Sequence, residues 1–318
     1  VASARGCAST LQASGMPWAA LYDSNVGDEP VLFGASPPMP EVHTRLGSVS
    51  KLVVALIYAR LVNDGQLDRA SPVTNWLGDV DGLDNLTLAD LDTHRSGLGD
   101  ALNSFWFRRR INRDVTAPVP LDDVIAASLG ISRSAALPLY ANINAILIAR
   151  ICEIATGRPF SALVAALATP DFDLRYDPLG ALPTPAAEGW RMGRGPGRIE
   201  YGDKLHEATH YNPSWGGPAG GMTCRISDMA RFGDRILEPL RALLPTQASG
   251  FYMLARVQDG WLHHAGDVPG FSAWAGYDAK DGRSVVSCAG LSWHPDVGNP
   301  AETLALSQIT VGGPLRWS

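Results

Sequence analysis

A serine and a lysine stand three positions apart where the most strongly patterned helix of the sequence begins. Ser48 is followed by Lys51, one of only three lysines in the chain against 23 arginines. Side chains at this spacing lie on the same face of a helix. The positive end of the helix dipole disfavours an ammonium group, and a buried lysine there can lose its proton near neutral pH. Lys51 can then act as a base toward the Ser48 hydroxyl, which predicts nucleophilic catalysis.

Two short motifs later in the chain carry groups that the same chemistry uses. Tyr140 and Asn142 are separated by one residue in a predicted loop that precedes a helix. A phenol beside the lysine can relay a proton, and a carboxamide can hold a substrate carbonyl. His264 and Gly266 end a predicted strand, whose backbone N–H groups can complete an oxyanion hole. Each motif is weak alone, and the prediction depends on their occurring together in this order.

The elements that must position these groups are indicated by hydrophobic periodicity. Apolar side chains recur at helical spacing over about residues 48–64, and Gly65 ends this helix. Between about 66 and 205 the patterns indicate helices and loops only, with a Pro/Gly-rich loop at 178–197. Short apolar runs bounded by turn residues predict strands near both ends of the chain. These runs are 18–23, 30–34, 251–257, 261–264, 272–277 and 284–291, and a closing helix is predicted at about 301–309.

This order of elements predicts an α/β (α+β) fold. An antiparallel sheet made from both ends of the chain is flanked by terminal helices, and a mostly helical domain is inserted between its strands. The predicted α/β domain comprises residues 1–70 and 215–318, and the predicted helical domain comprises residues 71–214. The active site is expected between the two.

Composition and charge exclude several classes of function. With 46% hydrophobic and 18% charged residues, the chain has the composition of a soluble globular protein. The net charge of −6 argues against a nucleic-acid partner, and the run Arg108-Arg109-Arg110 is interpreted as a solvated face. No apolar stretch approaches the roughly 18 residues that span a bilayer. We expect a small-molecule or peptide substrate. The oligomeric state is open, and so is the compartment: cytoplasmic, or exported with a signal peptide already removed.

The four cysteines, Cys7, Cys152, Cys224 and Cys288, are far apart and form no CxxC pair. This spacing disfavours a structural zinc site, and buried thiols are the favoured interpretation. The sequence leaves open whether any two of them form a disulfide.

A competing interpretation comes from the segment His206-Glu207-Ala208-Thr209-His210, which has the HExxH pattern of zinc hydrolases. Two histidines at i and i+4 of a helix can bind zinc, and the glutamate can activate water. Gly202 and Pro213 stand too close to this segment for a helix of the required length. Zinc hydrolysis is therefore the less favoured alternative, and no metal or cofactor is expected.

The sequence around these motifs resembles the serine β-lactamase/penicillin-binding-protein superfamily, in particular its class C-like branch of esterases, D-aminopeptidases and β-lactamases. Residues 47–51 are similar to the nucleophile segment of that branch. The resemblance extends over roughly residues 17–310. The other similar segments are 86–91 with 93–98, 218–222 with 227–232, and 264–266 with 269–271.

The resemblance implies that Ser48 is the acylated nucleophile, that Lys51 is its base and that Tyr140 joins the proton transfer. It implies an oxyanion hole formed by the backbone amides of Ser48 and Asp267. It assigns substrate binding to four residues: Asn142, His264, Gly266 and Asp267. The implied activity is that of a serine hydrolase acting on an ester or amide. An acyltransferase or transpeptidase that uses the same acyl-enzyme is the alternative.

The sequence departs from the family pattern at the third motif, where His264 replaces the lysine of the β-lactamase KTG triplet. A histidine is mostly neutral at neutral pH and anchors a carboxylate less well than a lysine. We therefore expect weak or absent β-lactam hydrolysis and a substrate without an essential carboxylate. Lys280-Asp281-Gly282 also reads K-x-G, but its Asp-Gly pair lies between two strand-like runs and indicates a hairpin turn.

Overall fold

The computed structural model describes residues 2–13, 15–34, 37–195, 197, 199 and 202–309. Twelve strands lie within these ranges: β1 (Trp18–Asp23), β2 (Val31–Gly34), β3 (His43–Arg45), β4 (Leu174–Tyr176), β5 (Trp190–Gly193), β6 (Lys204–Glu207), β7 (Met222–Arg225), β8 (Gly250–Tyr252), β9 (Ala255–Gln258), β10 (Trp261–Val268), β11 (Phe271–Asp278) and β12 (Arg283–Ala289).

Eleven α-helices lie in the same part of the chain: α1 (Ala2–Ala13), α2 (Ser50–Asn63), α3 (Thr74–Leu77), α4 (Leu88–Asp92), α5 (Phe105–Ile111), α6 (Leu121–Leu129), α7 (Asn142–Thr156), α8 (Phe160–Ala165), α9 (Met229–Phe232), α10 (Glu238–Leu243) and α11 (Pro300–Ile309). The 3-10 turn Gly47–Val49 runs directly into α2, and two further 3-10 turns occupy Ala101–Asn103 and Ser214–Ala219.

A seven-stranded antiparallel sheet in the order β2-β1-β12-β11-β10-β9-β8 joins the two ends of the chain. Because side chains alternate between the two faces of a strand, neighbouring residues enter different cores. Ala19 packs on the face covered by α1 and α11, whereas Ala20 packs on the face toward α2. The predicted α/β fold, with an antiparallel sheet flanked by the terminal helices, is confirmed.

Helix α2 lies at the centre of the larger core. Every residue from Ser50 to Ala59 is buried, so that the helix is covered on all sides and not only along one stripe. It contacts α7, α10, strand β10 and the 3-10 turn at Ser214–Ala219. A helix buried in this way encloses any polar side chain on its first turn. Lys51 is such a side chain.

The prediction of only helices and loops between 66 and 205 is wrong. Strands β4, β5 and β6 lie in this region, and β5 lies in the segment predicted as a loop. Strands of three or four residues are too short to show an alternating pattern, and these are fixed by their partners: β4 pairs with β7, and β5 pairs with β6. The domain boundaries stay predictions, although β4 and β7 belong to different predicted domains. Residues 1, 14, 35, 36, 196, 198, 200, 201 and 310–318 of the predicted domains lie outside the described residues.

Two predicted strands of the main sheet have different bounds. The run 251–257 contains a hairpin, because Met253 and Leu254 have φ angles of 47° and 66° and turn the chain between β8 and β9. Neither is a typical turn residue, but both are buried in the core, which outweighs their backbone preference. Strand β10 continues to Val268, so His264 and Gly266 lie inside the strand and not at its end. Lys280 lies in the β11–β12 hairpin, as its Asp-Gly pair indicated.

All four cysteines are free thiols, and three of them are buried. Within the described ranges, none of the helices combines the length and the apolar character that crossing a membrane requires.

Candidate active site

Ser48 is presented by a close approach of two backbone segments. Gly47 has a φ of 52°, and a Cβ at this position would lie 2.7 Å from the Asp267 backbone nitrogen. A Cβ on Gly266 would lie 2.1 Å from the Leu46 carbonyl oxygen and 2.9 Å from the Ser48 nitrogen. Only glycine fits at either position. Strand β10 therefore brings the Asp267 amide next to the Ser48 amide, where an oxyanion hole was predicted.

Lys51 is fully buried and has three oxygen neighbours. Its Nζ lies 3.0 Å from Ser48 Oγ, 2.7 Å from Asn142 Oδ1 and 3.0 Å from the carbonyl oxygen of Ala219. Burial lowers the pKa of Lys51 from 10.5 to about 7, although the charge of Asp100 opposes this shift. A neutral amine has two N–H groups, which the Asn142 and Ala219 oxygens can accept. Its lone pair is then left for the Ser48 proton.

Tyr140 also reaches Ser48, and Lys51 Nζ lies 4.9 Å from the centre of its ring. The phenol oxygen donates to Ser48 Oγ at 2.8 Å, while the ring is 39% exposed at the surface of a cleft. Burial of the hydroxyl raises the pKa of Tyr140 above its ordinary value, although the hydrogen bond with Ser48 opposes this shift. The pKa values of Lys51 and Tyr140 thus move in opposite directions. This separation suits Lys51 to act as the base and Tyr140 as the acid.

Asn142 is the first residue of α7, and its side chain bridges the lysine and the cleft. Its Oδ1 accepts from Lys51, so its amide nitrogen is available to donate to a carbonyl in the cleft. Asp100 holds Asn142 in place, because its Oδ2 accepts the Asn142 backbone N–H at 2.8 Å. The sequence analysis missed Asp100. It lies 42 residues before Asn142 and looks like an ordinary cap of the 3-10 turn Ala101–Asn103, a role it also has.

His94 is a second residue that the sequence analysis did not assign to the site. It is buried, has a φ of 56°, and its ring centre lies 4.8 Å from that of Tyr140. Burial lowers the pKa of His94 to about 3, so the ring is neutral. Its Nδ1 accepts from the Asn144 amide at 2.9 Å and from the Ala141 backbone N–H at 3.4 Å. His94 therefore packs against Tyr140 and holds the loop that carries it.

His264 lies beside the site but behind its surface. Its ring centre is 5.8 Å from that of Tyr140, and its Nδ1 donates to the Ala265 carbonyl oxygen. Burial lowers the pKa of His264 well below 6.5, and the charge of Lys51 lowers it further. A neutral ring with this orientation presents no cation to a substrate.

A cleft of about 1290 Å³ opens beside the nucleophile. Four of the predicted site residues line it: Ser48, Tyr140, Asn142 and Asp267. Five arginines also line it, and we call this set the arginine wall: Arg108, Arg109, Arg113, Arg191 and Arg194. Arg108 and Arg109, from the run interpreted as a solvated face, thus line this cleft, and Arg109 is exposed to solvent there. Their helix, α5, turns them toward the cleft.

Comparison with known proteins identifies the family of this chain. The sequence model of the family described as Beta-lactamase matches residues 11–289, which is most of the chain. The chain belongs to the beta-lactamase family. The predicted resemblance to the serine β-lactamase/penicillin-binding-protein superfamily is confirmed. Assignment to the class C-like branch stays a prediction.

Among sequence relatives of this beta-lactamase family member is the esterase EstB of Burkholderia gladioli. The two are 32% identical over 146 residues, which is 41% of this chain and 37% of the esterase. The match thus spans little more than a third of that relative.

Solved structures share the fold over nearly the whole chain. A D-stereospecific amidohydrolase from Streptomyces sp. has a TM-score of 0.79 at 18% identity and covers 98% of this chain and 99% of its own. The D-amino acid amidase of Ochrobactrum anthropi SV3 has a TM-score of 0.73 at 21% identity, and the match covers 97% of this chain and 95% of the amidase. A penicillin binding protein from Bacillus halodurans has a TM-score of 0.69 at 18% identity, and the match covers 94% of this chain and 97% of that protein. At these identities the likeness shows the fold alone.

In this beta-lactamase family member the HExxH segment does not form the helix that a zinc site needs. Residues Lys204–Glu207 are strand β6, so His206 and Glu207 point to opposite faces, and His210 lies in the turn that follows. The Glu207 carboxylate accepts the backbone N–H of Thr209 at 2.7 Å. Within the part of the chain that the structure describes, no three His, Cys, Asp or Glu side chains converge as metal ligands. The geometry gives the zinc alternative no support.

Proposed function

We propose that this protein is a serine hydrolase that cleaves an ester or an amide through an acyl-enzyme on Ser48. One observation carries the proposal: Lys51 Nζ and the Tyr140 hydroxyl both lie within hydrogen-bond distance of Ser48 Oγ, at 3.0 Å and 2.8 Å. A nucleophile in contact with both a base and an acid has the arrangement that acyl transfer requires.

In the first half of the reaction, neutral Lys51 takes the Ser48 proton as Oγ attacks the substrate carbonyl. The backbone amides of Ser48 and Asp267 hold the oxyanion, and such a donor typically accounts for a factor of about 10² to 10³ in rate. Tyr140 gives its proton to the leaving oxygen or nitrogen as that bond breaks, and the Lys51 ammonium replaces the proton on the phenol. Asn142 donates to the substrate beside the carbonyl that reacts.

In the second half, water attacks the ester carbonyl of the acyl-enzyme. Lys51 and Tyr140 accept the water proton and return a proton to Ser48 Oγ as the acid product leaves. The mechanism uses side chains and backbone amides only. The similar proteins include an esterase, a D-stereospecific amidohydrolase and a D-amino acid amidase, which supports a hydrolase of this class.

The neutral state of His264 supports the expectation that β-lactams are poor substrates. Burial keeps the pKa of this ring well below 6.5, so its position offers no positive charge to a β-lactam carboxylate. Acyl transfer to an alcohol or amine stays a prediction. It is tested by measuring how product divides between water and an added nucleophile.

The proposed nucleophile is tested with a neutral alkyl fluorophosphonate, which phosphonylates an activated serine. We expect stoichiometric labelling of the wild-type protein and none of Ser48→Ala, with loss of p-nitrophenyl ester turnover in the same variant. Ser9→Ala is the matched control, because Ser9 is exposed on α1, which covers the face of the sheet opposite to α2. Turnover that survives in Ser48→Ala would refute the proposal.

A further inference from the structure

The arginine wall gives one side of the cleft a strongly positive character in a protein whose net charge is −6. Arg108 and Arg109 lie on α5, and Arg113 follows that helix; Arg191 lies on β5, and Arg194 follows that strand. Among the described residues that line the cleft, Asp267 is the one carboxylate, and its Oδ2 accepts the Trp293 backbone N–H at 2.6 Å.

Hydrogen bonds hold the two halves of the wall together. The Asn112 carboxamide oxygen, next to the end of α5, accepts the Ile199 backbone N–H at 2.9 Å. The Arg191 guanidinium in turn donates to the carbonyl oxygen of Ile199 at 2.5 Å. The helix and the strand that carry the arginines are therefore linked through one residue, which joins the two backbone segments of the wall.

Arg110, the next residue after Arg109 on α5, differs from the arginines of the wall. Arg110, which does not line the cleft, forms an ion pair with Asp123 at 2.7 Å. By contrast, Arg108, Arg109, Arg113 and Arg194 form no ion pair with a carboxylate within the described ranges. Like charges placed side by side repel one another, and an anion between them relieves this repulsion. Among the described residues, the wall thus has the composition of an anion site whose four arginines have no carboxylate as an ion-pair partner.

We propose that the substrate carries an anionic group, a carboxylate or a phosphate ester, that the arginine wall binds while the ester or amide carbonyl lies at Ser48. This inference rests on the proposed function. Guanidinium groups bind both anions through paired hydrogen bonds. The anion site lies on α5 and β5 and not on β10, where His264 is neutral. This proposal of an anionic substrate replaces the expectation of a substrate without an essential carboxylate.

The test uses matched pairs of esters that differ in one charge. Mono-p-nitrophenyl glutarate and p-nitrophenyl valerate place a carboxylate or a methyl group at the end of the acyl chain. The pair 3-carboxy-4-nitrophenyl acetate and p-nitrophenyl acetate places the charge on the leaving group. In at least one pair we expect kcat/KM of the wild-type protein to be about tenfold higher for the anionic ester, as is typical of a charge-assisted hydrogen bond. Added NaCl is expected to reduce this preference.

The double variant Arg108→Gln/Arg109→Gln is expected to lose the preference, whereas the matched control Arg110→Gln on the same helix is expected to keep it. Competition by glutarate and by inorganic phosphate then shows which anion the wall prefers. Equal or lower kcat/KM for the anionic ester in both pairs overturns the inference, and so does a preference that survives in the double variant. Fluorophosphonate labelling of Ser48 separates the two proposals: labelling without an anion preference removes only this one, and absence of labelling removes both.

Discussion

Lys51 Nζ and Ser48 Oγ lie 3.0 Å apart at the buried start of α2. The distance matters because of what surrounds the lysine. The two other oxygens within reach of Nζ belong to a carboxamide and a peptide group, so neither neighbour carries a negative charge that would hold the amine protonated. Burial without a charged partner in contact is the condition under which a lysine becomes a base near neutral pH.

The rate of hydrolysis is expected to rise with pH through about 7. Only the neutral amine can take the Ser48 proton, and the pKa of Lys51 is lowered to about 7. Plotted against pH, kcat/KM for a neutral p-nitrophenyl ester should rise about tenfold per pH unit below this value and level off above it. A profile that is flat between pH 5.5 and 8.5 would contradict Lys51 as the base.

The same pKa predicts how Lys51 affects stability. Between about pH 7 and 10.5 the lysine is protonated in the unfolded chain and neutral in the folded one, so the unfolded state binds more protons. The free energy of unfolding of the wild type, relative to Lys51→Met, should therefore rise by up to about 1.4 kcal/mol per pH unit across this window. Urea titrations of both proteins at several pH values measure the difference. A difference that does not change with pH would place the pKa of the folded protein near 10.5.

Asp100 is expected to set the pH range in which the enzyme works. Its charge raises the pKa of Lys51 against the larger effect of burial. Asp100→Asn removes the charge, and its one side-chain oxygen can still accept the Asn142 backbone N–H, although the hydrogen bond from the Leu102 backbone N–H is then lost. The midpoint of the pH–rate profile should then move to lower pH. If the variant loses rate at every pH with no shift of the midpoint, Asp100 acts only by positioning Asn142.

Chelators are expected to leave hydrolysis unchanged. His206 lies on strand β6 and Glu207 points to the opposite face, so the HExxH segment does not bring its side chains together. Incubation with 1,10-phenanthroline, and separately the substitution His210→Ala, should each leave kcat/KM within about twofold. A large loss that added zinc restores would return the metal mechanism to consideration.

The sequence predicted which side chains meet at Ser48 better than it predicted their surroundings, for a physical reason. Ser48 and Lys51 are three residues apart on one chain segment, so local helical geometry is enough to bring them together. Tyr140 and Asn142 followed from their short motif and from the family resemblance. Asp100 and His94 act through hydrogen bonds to residues more than 40 positions away, and nothing in their local sequence indicates such partners.

The same distinction applies to the fold. The strands β10, β11 and β12 are long enough for their apolar runs to show in the sequence, and all three were predicted. Strand β4 has three residues and exists because β7 pairs with it, so its own sequence carried little information. The orientation of Arg108 is a further case, because a run of arginines has the same composition on a solvated face and on the wall of a cleft.

Glycine at position 266 is expected to be indispensable for both folding and catalysis. A Cβ there would lie 2.1 Å from the carbonyl oxygen of Leu46, a backbone atom that cannot move without displacing Ser48. Gly266→Ala should therefore lower kcat/KM by at least about 10²-fold, because the distance between the two amides of the oxyanion hole increases. Gly216→Ala is the matched control: Gly216 also lines the cleft, but its added methyl group meets no atom within 4 Å. Circular dichroism and thermal melts of both variants separate misfolding from loss of the site. A folded Gly266→Ala protein with wild-type kcat/KM would mean that the amide of Asp267 does not take part in oxyanion binding.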